Sequence, residues 1–184
     1  MNSLKGHFLV ASPSLLDPNF FRAVVLVLED GAEGSVGLVV NRPTEATVTR
    51  VSEQVFQEQI EWDKAISLGG PVPGPLIALH TTESFADQEI AAGLFRTSDP
   101  AKLEQVVRQQ VEPSLLIANC AGWGPGQLAA EIEADSWLAL PARPEHVFWS
   151  QETDLWTALV KEVSTAKLSQ LLKLGEIPGD PAVN

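Results

Sequence analysis

Residues 23–41 read AVVLVLEDGAEGSVGLVVN. Two runs rich in Val and Leu, 23–29 and 35–41, flank the polar segment EDGAEG at 29–34. Runs of this length and composition predict strands. The glycines between them can supply the positive φ that a hairpin loop requires. Upstream, HFLVA (7–11) predicts a third strand. Downstream, TVTRVSEQVFQ (47–57) places Val48, Val51 and Val55 at helical spacing. AISLGGP (65–71) and PLIALH (75–80) predict two strands joined across a turn rich in proline and glycine.

The second half is richer in helix signals. Asp99 can cap a helix over 99–112 with Pro100 in its first turn, and Leu103, Val106, Val107 and Val111 line one face. SLLIANC (114–120) is a continuous apolar run, as expected of a strand covered on both faces. A helix follows the glycine-rich loop at 121–126, and SWLALPA (136–142) predicts another strand. HVFW (146–149) is apolar, DLWTALVKEV (154–163) and KLSQLLKL (167–174) predict helices, and GEIPGDPAVN (175–184) predicts a loose tail. Strands early and helices late favour one α+β domain over residues 1–174 with a mixed sheet, rather than alternating βαβ units.

The chain has 184 residues, 45% hydrophobic and 20% charged, the composition of a folded globular domain. Its formal net charge is −12, and residues 51–100 alone hold two bases against eight acids. Phosphate-backbone binding needs clustered Lys and Arg, so direct DNA binding is disfavoured; only Arg22, Arg42 and Arg50 could form a small basic patch. A single cysteine, Cys120, fits a reducing compartment and is expected to end a buried strand. The N-terminal apolar run is too short for a signal peptide, and the charge-free stretches 65–82 and 113–130 are broken by Gly, Pro and polar residues. A cytoplasmic protein without a membrane span is the expectation.

The loop AGWGPGQ (121–127) raises the question of a phosphate cradle, because glycines before a helix can bring backbone N–H groups to an anion. It lacks the dinucleotide fingerprint, since Gln127 stands where the third glycine belongs, and it lacks the Lys of a P-loop. A strand-to-helix corner accounts for more of its residues. In that reading Gly124 caps the helix, Pro125 opens it, and Gln127 reaches back to the free N–H of the cap. Gly122, Gly124 and Gly126 are then expected to be required by close approach, so that Gly124→Val is costly. EGSVG (33–37) lacks the first glycine of a nucleophile elbow. Glu131, Glu133 and Asp135 read as a solvated face. His7, His80 and His146 form no ligand pair, so no metal site and no cofactor is expected.

Four segments in order, GHFLVASPSLLDPNFFRAVVLV, GSVGLVVNRP, LGGPV with LH after it, and AGWGPGQLAAEIEADSWL, resemble the bacterial YqgE/AlgH family. The resemblance runs from the start to about residue 163. It implies a compact α+β domain whose mixed sheet curls toward a barrel with helices around it, and a cytosolic location. The AlgH branch carries a transcriptional-regulator label, which implies a regulatory role but no reaction. Asn119-Cys120 departs from a common Gly-Tyr pair. If NRP (41–43), LGGP (68–71) and the Trp123 loop converge, they would frame a pocket of Asn41, Arg42, Gly69, Gly70, His80, Gly122, Trp123, Gly124 and Gln127, open to a small-molecule ligand. A regulatory or interaction module would instead show an exposed apolar patch for a protein partner.

Overall fold

A computed structural model describes residues 3–149 and 154–174, with side chains through residue 166. The tail expected over 175–184 lies outside the described residues. In chain order the elements are β1 (His7–Ala11), β2 (Val24–Gly31), β3 (Gly34–Val39), β4 (Pro43–Thr47), α1 (Val48–Phe56), β5 (Ala65–Leu68), β6 (Val72–His80), β7 (Gln88–Ala91), β8 (Leu94–Thr97), α2 (Pro100–Arg108), β9 (Ser114–Trp123), α3 (Gln127–Glu133), β10 (Trp137–Pro141), α4 (Pro144–Val147) and α5 (Leu155–Leu174).

The hairpin read from residues 23–41 is present. β2 and β3 pair antiparallel to their ends, Gly31 opposite Gly34, so Ala32 and Glu33 alone form its loop. Asp99 caps α2 as expected, its carboxylate accepting the N–H groups of Ala101 and Lys102 at 3.1 Å. Residues 154–163 and 167–174, expected as two helices, form the single α5. β4, β7 and β8 carry no strand expectation. They are four or five residues long and partly polar, and β7 and β8 exist because β6 offers an edge for Phe95–Thr97 to pair on.

The strand order is β10-β1-β2-β3-β9-β6-β8-β7, with β5 joining β9 and β4 joining β5. β5 and β6, expected as two strands joined across a turn, do not pair. β5 runs parallel to β9, Ile66–Leu68 opposite Leu116–Ala118, while β6 lies antiparallel on the other edge of β9. Gly69, Gly70 and Pro71 therefore carry the chain across β9 itself. This crossing leaves the β5–β9 pair as the parallel element of an otherwise antiparallel mixed sheet.

The sheet curls into a half-barrel. β2 and β8 are four strand steps apart, about 19 Å in a flat sheet, yet Arg96 on β8 pairs with Glu29 on β2 at 3.1 Å. Likewise Gly6, just before β1, lies against the Ile90 carbonyl of β7 at the far end of the sheet. Strand alternation then sorts the core. Phe8, Val10, Leu26, Leu38, Leu79, Leu94 and Ile117 fill the concave interior with Leu155 and Leu159 of α5. Val25, Val27, Val39 and Trp123 face outward beneath Leu128 of α3. Ile66, Ala78 and Leu116 face outward beneath Leu103, Val106 and Val107 of α2. Burial on both faces explains why β2 and β9 read as continuous apolar runs.

Candidate functional site

The residues singled out from sequence fall into three separate environments. The first is the glycine crossing. Leu68 N–H donates to the Arg42 carbonyl at 2.8 Å, Val39 N–H to the Gly69 carbonyl at 2.8 Å, and Gly69 N–H to the Ala118 carbonyl at 2.8 Å. A Cβ on Gly69 would lie 2.3 Å from the Asn119 carbonyl oxygen, and one on Gly70 2.3 Å from that of Cys120. LGGP and NRP do meet, and what fills the meeting point is the backbone of β9. β9 continues three residues past Cys120, so the cysteine does not end the strand. It is half-buried, and burial pushes its thiol pKa up.

The second environment surrounds the loop 12–22, between β1 and β2. Asn41 Oδ1 accepts the Val24 N–H and its Nδ2 donates to the Arg22 carbonyl, both at 2.9 Å. Arg42 donates to the Phe21 carbonyl at 3.2 Å. From the other side, Phe20 stacks on Trp123 with ring centroids 5.9 Å apart and meets Trp137 edge-on at 5.4 Å. Within the loop, Phe20 and Phe21 N–H groups both donate to the Asp17 carbonyl. NRP and the Trp123 loop thus grip one segment that the sequence did not single out as a site. Leu16 and Phe21 project from it, 79% and 52% exposed.

Gln127 Oε1 accepts the Gly124 N–H at 3.0 Å, the reach-back foreseen from the sequence. The helix itself starts at Gln127 with Gly126 as cap, not at Pro125. Correcting the expectation, Gly122 and Gly124 stand in open surroundings, and only Gly126 of the three adopts a positive φ, +75°. Among the glycines of the candidate pocket, the close approaches belong to Gly69 and Gly70. Glu131 is a second correction. It is half-buried, and it accepts the indole N–H of Trp123 at 2.9 Å and of Trp137 at 2.8 Å on one oxygen, and Gln127 Nε2 on the other. Burial pushes its pKa up, but the donors Trp137, Gln127 and Trp123 outweigh that and hold it below the usual carboxylate range. Two tryptophans flanking a short helix need acceptors when buried; that was the available signal.

The third environment is His80, fully buried and away from the other two. Thr97 Oγ1 donates to the Phe85 carbonyl at 2.6 Å, so it accepts from His80 Nε2 at 2.7 Å, while Nδ1 accepts the Thr82 N–H. The ring is a neutral Nε2–H tautomer with both nitrogens occupied. Burial lowers its pKa, against the pull of the Asp87 carboxylate. His146 is lowered as well, by burial first and then by Arg143. In the unfolded chain both regain pKa values near 6.5 and bind protons that the folded state refuses. Stability should therefore be complete above that value and fall as pH drops below it, by at most about 1.4 kcal/mol per pH unit for each histidine. Urea midpoints at pH 7.5 and 5.5 check this, and His146→Phe should flatten the profile.

Among the described residues, no group of three or more His, Cys, Asp and Glu could hold a metal ion, and no helix is long and apolar enough to cross a membrane. A curled mixed sheet with helices on both its faces and a braced, apolar-tipped loop defines a single-domain α+β protein whose distinctive surface is that loop. The chain belongs to the AlgH-like family, which matches residues 8–167. It is 33% identical over 171 residues to a UPF0301 protein of Idiomarina loihiensis, covering 89% of this chain and 92% of the relative. A UPF0301 protein of Chlorobaculum tepidum is 35% identical over 162 residues, covering 85% and 84%. The solution structure of AlgH from Pseudomonas aeruginosa superposes with a TM-score of 0.72 at 30% identity, covering 97% of this chain and 96% of that one. A crystal structure of a Corynebacterium diphtheriae protein gives 0.72 at 27% identity, covering 88% and 87%.

Proposed function

We propose that this protein is a regulatory interaction module that docks a protein partner on the loop 12–22. The observation that carries this reading is the pairing of exposure with bracing. Leu16 and Phe21 stand in solvent, while Asn41, Arg42, Trp123 and Trp137 hold the loop beneath them. A loop ordered before binding loses little conformational entropy on association, so its apolar side chains contribute to affinity in full. Arg42, like Lys5, Arg50 and Lys161, has no carboxylate partner among the described residues, and of these four it is the one whose side chain donates into the loop 12–22. The partner is therefore a protein with an apolar cleft bordered by a carboxylate.

The same pairing argues against DNA as the direct target. Arg22 is engaged with Asp154 and lies over the Trp156 ring, and Arg50 donates to the Glu45 carbonyl. Few cations are left to displace counterions from phosphates. Any regulation of transcription would then run through a protein contact in the cytoplasm.

A photocrosslinking residue placed at position 16 or 21, in the native lysate, should yield the same discrete adduct from both positions. Arg42→Glu should weaken it, and Leu16→Ser with Phe21→Ser should abolish it while shifting Tm by less than about 2 °C, as for exposed positions. No adduct above that from a crosslinker at exposed Glu53, or an adduct indifferent to these substitutions, would overturn the reading.

A further inference from the structure

At the mouth of the half-barrel, where β5 and β9 begin and α4 ends, lies a cavity of about 400 Å³. That volume is within the range of small-molecule sites, and the mouths of barrels are common places for them. Its inner wall is apolar, formed by Leu115, Val147 and Phe148, all packed on the barrel core. Deep in the same wall is Ser67. Ile66 faces α2, so Ser67 faces the opposite way, toward the barrel interior. It is 2% exposed, and Ser114, in the same lining, has a buried hydroxyl with no hydrogen-bond partner among the described residues. Buried hydroxyls are ordinarily paired.

The rim is charged. Lys64 Nζ bonds both oxygens of Glu112, at 2.8 and 2.9 Å, and Glu112 also accepts the Ser114 N–H. Asp63, beside them, has no partner among the described residues. The rim thus carries one unneutralised carboxylate, on a chain whose net charge is −12. Both fields repel an organic acid and attract a cation.

We infer that this cavity binds a small organic ammonium compound, its charged nitrogen at Asp63 and its apolar body on Leu115, Val147 and Phe148, near the unpartnered Ser114 hydroxyl. The site is separate from the loop 12–22 and stands independently of the partner reading.

The test uses phenethylamine, which is protonated at neutral pH, with phenylpropionic acid and phenethyl alcohol as the anionic and neutral analogues. Each is titrated into the full chain while amide shifts of residues 64–67 and 112–115 are followed by NMR. The amine should shift these amides in a saturable way, at least about tenfold more tightly than either analogue. Asp63→Asn, an exposed substitution, should weaken the amine about fivefold and leave the alcohol unchanged. Absence of shifts with all three compounds would overturn the inference. So would equal affinity for the acid and the amine, or amine binding indifferent to Asp63→Asn.

Discussion

Gly70→Ala is expected to cost at least about 3 kcal/mol, a large share of the roughly 5–15 kcal/mol by which a folded domain is stable. The added Cβ would fall 2.3 Å from the Cys120 carbonyl oxygen, 2.4 Å from its carbon and 2.6 Å from the Ala121 nitrogen. All three are backbone atoms of β9, so no side chain can swing aside. The residue also sits at φ +150°, a conformation that L residues rarely adopt. The crossing cannot be moved without separating β5 and β6 from the two edges of β9. Gly124→Ala is the control. Its Cβ would meet nothing closer than Gln127 Oε1 at 3.8 Å, and its cost should stay within about 0.5 kcal/mol. Urea unfolding of both variants, followed by circular dichroism, gives the comparison. Equal costs would mean that β9 is not crossed at Gly70.

Glu131→Ala should be the most damaging substitution on the surface of α3, at about 2–4 kcal/mol. It strands two buried indole N–H groups, each worth about 1–3 kcal/mol when left unpaired. Glu131→Gln should cost about 1 kcal/mol or less, because one amide oxygen can still accept both indoles and only the bond from Gln127 is lost. The two tryptophans also clasp Phe20. The Ala variant should therefore loosen the loop 12–22, seen as faster amide exchange at Phe20 and Phe21, whereas the Gln variant should not. A Glu131→Ala protein as stable as wild type would show that the indoles find other acceptors.

Much of the architecture was legible in the residues. β-branched runs bounded by turn residues gave β1, β2 and β3, and Asp99-Pro100 with Leu103, Val106 and Val107 marked α2. The Gln127 reach-back was legible too, because it depends on residues three apart. β7 and β8 were not, since their four residues each are partly polar and pair only because β6 presents an edge. Glu131 was misread for a related reason. On its own helix it looks like one more acid, and the indoles it accepts from lie eight residues before it and six after it, on β9 and β10, whose rings only the fold brings together.

The candidate site shows the same division. The sequence singled out Asn41, Arg42, Trp123 and Gln127 as unusual residues, and the structure finds a defined task for each. It could not say that two of the segments brace a loop while LGGP crosses a strand. Local signals such as apolar periodicity, capping residues and charge balance act within a few residues of one another. They determined by themselves most of the strands and helices, the α+β class and the acidic charge balance. Whether a glycine is needed, how far a carboxylate is buried and which aromatic residues stay in water depend on neighbours on other elements. Those neighbours are set by strand order and by the curl of the sheet. Only the folded chain, with β9 threaded between β5 and β6, decided them.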